Sequence, residues 1–170
     1  PLSDTGDFAE KPELILDELD FANGFYVNET NKKFYLSETL ANRVLSFDLD
    51  VSTGSLVNMT ILADIPSPDN MQLNHDGSLW VASPLSNQIF SIDITNGDFF
   101  VVFDAQTKDG AAIVAEGISR VSRGDGMADL LGPEAIGEMP GLLTGMIIGN
   151  KDQQFYEANL GNALIEVSTP

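Results

Sequence analysis

Between residues 21 and 104 apolar side chains come in short runs, none of which keeps a 3.6-residue period, and Gly, Asn, Asp and Pro interrupt the pattern throughout. This is strand patterning. Eight segments stand out: FANGFYV (21–27), FYLSET (34–39), RVLSFDL (43–49) and MTILADI (59–65), then PDNMQLN (68–74), LWVASP (79–84), QIFSIDI (88–94) and FFVVFDA (99–105). In RVLSFDL and QIFSIDI core and solvent positions are expected to alternate. Polar turns separate the segments, at 28–33, at His75-Asp76-Gly77, at 50–54 and at Thr95-Asn96-Gly97.

A longer repeat groups the segments. An aromatic residue, six intervening residues and then an Asn that opens an apolar run recur at Tyr35 to Asn42, Trp80 to Asn87 and Phe155 to Asn162, with Leu40, Leu85 and Leu160 at the same place each time. A period near 45 residues, filled by four strands and tight turns, is the signature of a propeller blade. The fold class is therefore all-β, a partial β-propeller of about three four-stranded blades at 21–65, 66–107 and 142–168 within a single domain over 1–170. Residues 13–17 (ELILD) read as the outer strand of a preceding blade. The Gly-rich stretch 108–140 is an irregular insert, holding either a short helix near 111–121 or a degraded strand pair.

Composition narrows the chemistry. The 170 residues are 43% hydrophobic, enough for one domain with a core. With 26 acidic and 8 basic residues the net charge is −18, which excludes nucleic acid as a partner, because phosphate binding needs a basic footprint. Acidity of this degree serves solubility and also favours cations. No Lys or Arg lies between Arg43 and Lys108, so a cation held by the first two blades would meet little repulsion. There is no Cys, hence no disulfide, thiolate zinc site or Cys nucleophile. The longest apolar stretch, 142–148, is too short for a membrane span, and its spaced glycines suit a strand.

A nucleophilic triad is not encoded: the single His75 sits in a turn, where it reads as solvated, and there is no G-x-S-x-G elbow. Asp48, Asp50 and Ser52 imitate a calcium loop, but Thr53 and Met59 stand where Gly and Glu are required, so the segment is a hairpin turn. What remains is the pair of inner-strand starts. Aligning the first two units superimposes Phe21-Ala22-Asn23-Gly24 on Ser67-Pro68-Asp69-Asn70. First strands of blades line the central channel, so Asn23 and Asp69 would face one axial spot and could share a hard cation. The same residues are also common turn formers, and spacing alone leaves both readings open.

The ordered series FANG, YLSETLANRVLSFD, PDN and GSLWVA resembles the C-terminal half of the calcium-dependent six-bladed propellers: paraoxonases and arylesterases, gluconolactonase and regucalcin, and strictosidine synthase-like proteins. The resemblance runs from Leu14 to Thr95 and resumes over 142–167. It implies a catalytic calcium in the channel, with Asn23, Asp69 and Asn70 among its ligands, and a calcium-dependent hydrolase of esters or lactones. The family's remaining ligands and its catalytic residues have no counterpart in this chain. Strictosidine synthases use a glutamate on the last inner strand, and residues 142–147 (LLTGMI) contain none. The alternatives are a non-catalytic propeller module or a strictosidine synthase-like protein without that glutamate. The expected partners are a small ester or lactone and either the missing N-terminal half of the ring or a second copy, since an open ring leaves sheet edges unpaired.

Overall fold

The computed structural model describes residues 13–132, 135, 139–149, 154–161 and 163–168. Two four-stranded antiparallel meanders come first: β1 (Ala22–Asn28), β2 (Lys33–Glu38), β3 (Arg43–Leu49) and β4 (Leu56–Ala63), then β5 (Met71–Leu73), β6 (Leu79–Ser83), β7 (Gln88–Ile92) and β8 (Phe99–Asp104). After an α-helix, α1 (Lys108–Arg123), a sheet of three strands follows among the described residues: β9 (Gly141–Ile148), β10 (Gln154–Gly161) and β11 (Leu164–Ser168). Each sheet pairs strands in chain order, and the first strands β1, β5 and β9 lie side by side. This is a partial propeller.

The turns are set by local polar chemistry. In the hairpins at Asp50, Asp76 and Asp93 the carboxylate accepts from the backbone N–H two residues on, at 2.8–2.9 Å, and from that residue's hydroxyl at 2.6 Å. Asp50 and Ser52 thus form a turn, as their spacing predicts.

The aromatic-to-Asn repeat has two physical causes. Tyr35, Trp80 and Phe155 are buried, each on the second strand of its sheet. Asn42 and Asn87 adopt left-handed backbone at φ 55° and 56°, closing the turn between second and third strands. Asn does so at less cost than other side chains. The third unit departs from the pattern: β10 runs on through Leu160, which is 71% exposed, and Asn162 lies outside the described residues. Asn42 also accepts a 2.7 Å hydrogen bond from the buried Ser67 N–H. Asn42→Ala is expected to cost about 2 kcal/mol in urea denaturation, from the left-handed strain and the orphaned donor together. Asn42→Gly should recover only the strain component.

Two cores glue the sheets. Tyr35, Val44, Ile65, Leu79, Val81 and Ile92 pack between the first and second. Trp80, Ile89, Leu143, Met146 and Phe155 pack between the second and third, where the Phe155 ring meets Trp80 and Phe103 edge-on at 5.6 and 5.7 Å. Because the sheets stack, the alternation expected in the third strands is absent from their burial: Val44–Phe47 and Ile89–Ile92 are buried on both faces.

Residues 13–17 are not a strand. Among the described residues no strand pairs with them; Leu16 and Leu19 pack instead on Leu36, Leu45 and Phe47 at the first sheet. In the insert the helical alternative is the one realised. Thr107 caps α1 by accepting from the Gly110 N–H at 3.0 Å, and Gly124 ends it at φ 72°. Gly117 lets the helix settle on Leu85: a Cβ there would stand 2.6 Å from Leu85 Cδ2.

Candidate metal site at the inner strands

β1 starts with an irregular register between Ala22 and Phe25, which places Asn23 and Gly24 at a bulge and turns the strand's first side chains. Against it lies the Ser67–Asn70 segment that leads into β5. Gly24 permits this approach: a Cβ on it would fall 2.3 Å from the Asp69 carbonyl oxygen and 2.5 Å from Asn70 Cα. Three side chains of the first sheet hold the incoming segment. The Ser67 N–H donates to Asn42 Oδ1, the Thr39 hydroxyl donates to the Pro68 carbonyl at 2.7 Å, and the Ser37 hydroxyl donates to the Asp69 carbonyl at 2.6 Å. On the other side the Asp69 N–H bonds Ala82 O at 2.8 Å, and the Ala82 N–H bonds Asn70 O at 3.0 Å.

This framework brings together the three residues singled out in the sequence. Asn70 Nδ2 donates to Asp69 Oδ1 at 2.8 Å and to the Thr144 carbonyl of β9 at 3.1 Å. The Asn23 amide lies close enough to the Asp69 carboxylate to favour its ionised form, and donates to Thr39 Oγ1 at 3.2 Å. Asn23 is half-buried, Asp69 buried and Asn70 exposed. Burial pushes the Asp69 carboxyl up to about 6, only in part offset by the Asn70 backbone N–H and the Asn23 amide.

A second buried carboxylate shows what a structural acid looks like in this fold. Burial also raises Glu38, but Arg43 at 2.6 Å and the Asp20 N–H at 2.8 Å outweigh that and hold it below its ordinary value. The groups acting on Asp69 are amides, with no guanidinium or ammonium among them. A buried carboxylate with neutral oxygen-bearing neighbours and a main-chain carbonyl close by fits a hard cation such as calcium. Among the described residues no three His, Cys, Asp or Glu side chains cluster as ligands.

Sequence reasoning missed Thr39, Ser37 and Thr144, whose contacts with this site span 16 to 74 residues of chain. It also missed a tether: His75 is exposed in its turn, yet its Nε2 lies 2.8 Å from Gly149 O, joining the second sheet to the third. A cavity of about 300 Å³ adjoins Asn70, walled by Met71, Met146, Ile147 and Tyr156.

Residues 5–108, more than half of the chain, match the family model described as the SMP-30/Gluconolactonase/LRE-like region. The chain belongs to this family. Among its relatives are regucalcin from Sus scrofa, 29% identical over 89 residues, and regucalcin from Danio rerio, 32% identical over 85. These alignments cover 50% and 48% of this chain but only 30% and 29% of the regucalcins, so the match spans less than a third of those relatives. A solved gluconolactonase, XC5397 from Xanthomonas campestris, superposes with a TM-score of 0.59 at 16% identity, covering 99% of this chain and 50% of that one. That likeness is one of fold: the three sheets correspond to half of the larger chain.

Proposed function

We propose that this chain supplies part of the metal site of a calcium-dependent hydrolase acting on lactones or related esters, with Asn23, Asp69 and Asn70 as ligands. The observation that carries the reading is the buried Asp69 carboxylate, approached by two Asn amides and by no cationic side chain. Membership of a family that includes regucalcins, and the fold shared with the Xanthomonas campestris gluconolactonase, support the lactone class.

When bound, calcium would polarise the substrate carbonyl and stabilise the negative charge that develops on its oxygen as water adds. Asp69 contributes the charge that holds the ion and must be ionised to do so. Asn23 and Asn70 contribute neutral oxygens and orient the carboxylate through their amides. Burial of Asp69 keeps water off the carboxylate and strengthens each electrostatic contact it makes. Met71, Met146 and Tyr156 beside Asn70 offer an apolar wall for the alkyl part of a lactone.

One carboxylate and two amides are few for an ion that takes six to eight oxygens. The remaining ligands are proposed to come from the rest of a six-bladed ring, supplied by further sequence or by a second copy. Hydrolysis of γ-butyrolactone and phenyl acetate with and without EDTA tests this. A closed-ring form is expected to turn over only with calcium, and the 170-residue chain alone to show no calcium-dependent turnover. EDTA-resistant hydrolysis by the closed ring would overturn the metal role, and robust calcium-dependent turnover by monomeric chain would overturn the shared-site argument.

A further inference from the structure

We propose that Thr39 is a positioning residue: its hydroxyl fixes which way round the Asn23 amide sits and so sets the affinity of the site for a hard divalent cation. The second half of this statement rests on the metal reading given above; the first does not.

Thr39 is buried at the turn that follows β2, one residue beyond the strand's end. A threonine hydroxyl has one proton to give. Here the proton goes to the Pro68 carbonyl at 2.7 Å, a group that can only accept. Toward Asn23, 3.2 Å away, the same oxygen can therefore act only as acceptor, and it demands the NH2 end of the amide. A reversed Asn23 would set two acceptors face to face and forfeit the bond. The amide oxygen is thereby assigned to the edge turned away from Thr39.

The arrangement does more than orient one side chain. The hydroxyl joins the two segments that carry candidate ligands, Asn23 at the start of β1 and the Pro68–Asp69 peptide ahead of β5, through a single atom. Ser37, two residues earlier on β2, repeats the device by donating to the Asp69 carbonyl. A pair of hydroxyls, one on the second strand of one sheet and one just past its end, thus sets the distance and register of the next sheet's inner strand. The contact with Asn23 is compatible with ligation, because an amide that gives its oxygen to a cation still has an N–H for Thr39. This is the outer-partner arrangement whose loss typically weakens metal sites about 10- to 100-fold.

The test uses Thr39→Val, which keeps the shape and removes the hydroxyl, with Thr39→Ser as rescue and Ser37→Ala as a control that spares Asn23. In the metal-free protein, NMR should find the Asn23 side-chain NH2 protected from exchange in wild type and Thr39→Ser, and unprotected in Thr39→Val. Calorimetric titration with calcium chloride should give at least about tenfold weaker binding for Thr39→Val and binding within about threefold of wild type for Thr39→Ser, while Ser37→Ala, which loosens the Asp69 segment without touching Asn23, should leave the Asn23 NH2 protected. Should Thr39→Val fail to fold, the wild-type exchange rate still decides: an Asn23 amide exchanging as fast as a solvated Asn overturns the proposal. An Asn23 amide and a calcium affinity both unmoved by Thr39→Val would also overturn it. If wild type takes up no calcium while the Asn23 amide responds to Thr39→Val, the orientation half stands and the metal reading fails.

Discussion

Asp69→Asn is expected to abolish calcium binding and, in the metal-free protein at pH 7.5, to raise the melting temperature by several degrees. Both follow from one buried charge. Burial lifts the Asp69 carboxyl from 3.8 to about 6. A folded-state value above the unfolded one gives stability that is fully present below pH 3.8 and is lost as pH rises through about 6. Above that, the ionised group costs the fold up to about 3 kcal/mol, since each unit is worth about 1.4 kcal/mol. For a chain of this size each kcal/mol is about 2–4 °C. Asn keeps the shape and the bond from Asn70 without the charge. The gain in melting temperature should therefore hold from pH 7.5 down to about 6 and shrink toward zero between about 6 and 3.8, while wild-type calcium affinity falls as protons compete below about pH 6. Thermal melts from about pH 3.5 to 8, with EDTA and with calcium chloride, read both effects. A pH-independent difference, or equal calcium stabilisation of wild type and variant, would count against the charge argument.

The second large effect belongs to a residue with no side chain. Gly24→Ala should destabilise the protein by about 3 kcal/mol or more and remove cation binding with it. A Cβ at this position would lie 2.3 Å from Asp69 O and 2.5 Å from Asn70 Cα. Both are backbone atoms, so no rotamer change relieves the clash, and the whole Ser67–Asn70 segment has to move. Overpacking at that site also pulls Asp69 away from Asn23. Gly54→Ala is the comparison: its φ of 76° strains an alanine, but nothing stands within 4 Å of the added carbon, so about 1–2 kcal/mol is expected. Urea denaturation measures both. Equal losses would mean that the close approach of β1 to Asp69 contributes nothing.

These two positions mark how far the sequence could be read. Asp69 and Asn23 were legible because the 45-residue repeat aligns Asn23-Gly24 with Asp69-Asn70, and equivalent positions on first strands fall on one axis. Gly24 was visible as a residue, but its reason was not. Thr39 and Ser37 were hidden inside what reads as an ordinary edge of a strand, because nothing local in YLSET says that their hydroxyls will meet a carbonyl 29 or 32 residues later.

The division follows the range of the forces involved. Strand spans, the Asp-x-Ser and Asp-x-Thr turns, the left-handed Asn42 and Asn87 and the cap of α1 are settled within a few residues, by side-chain hydrogen bonds to the neighbouring backbone and by steric limits on φ. The sequence by itself therefore determined the strand order, the blade period and the acidic, cation-tolerant composition. The tertiary structure decided what needs a neighbour. Residues 13–17 carry strand-like residues but pair with no strand among the described residues, and they pack as a loop on Leu36 and Phe47. The third strands have an alternating pattern, yet stacking of sheets buries both faces. The Asp69 carboxyl is an ordinary acid in the sequence and becomes a weak one only when the fold buries it, against the opposing pull of the Asn70 N–H and the Asn23 amide, because desolvation is a property of the assembled site and not of the chain.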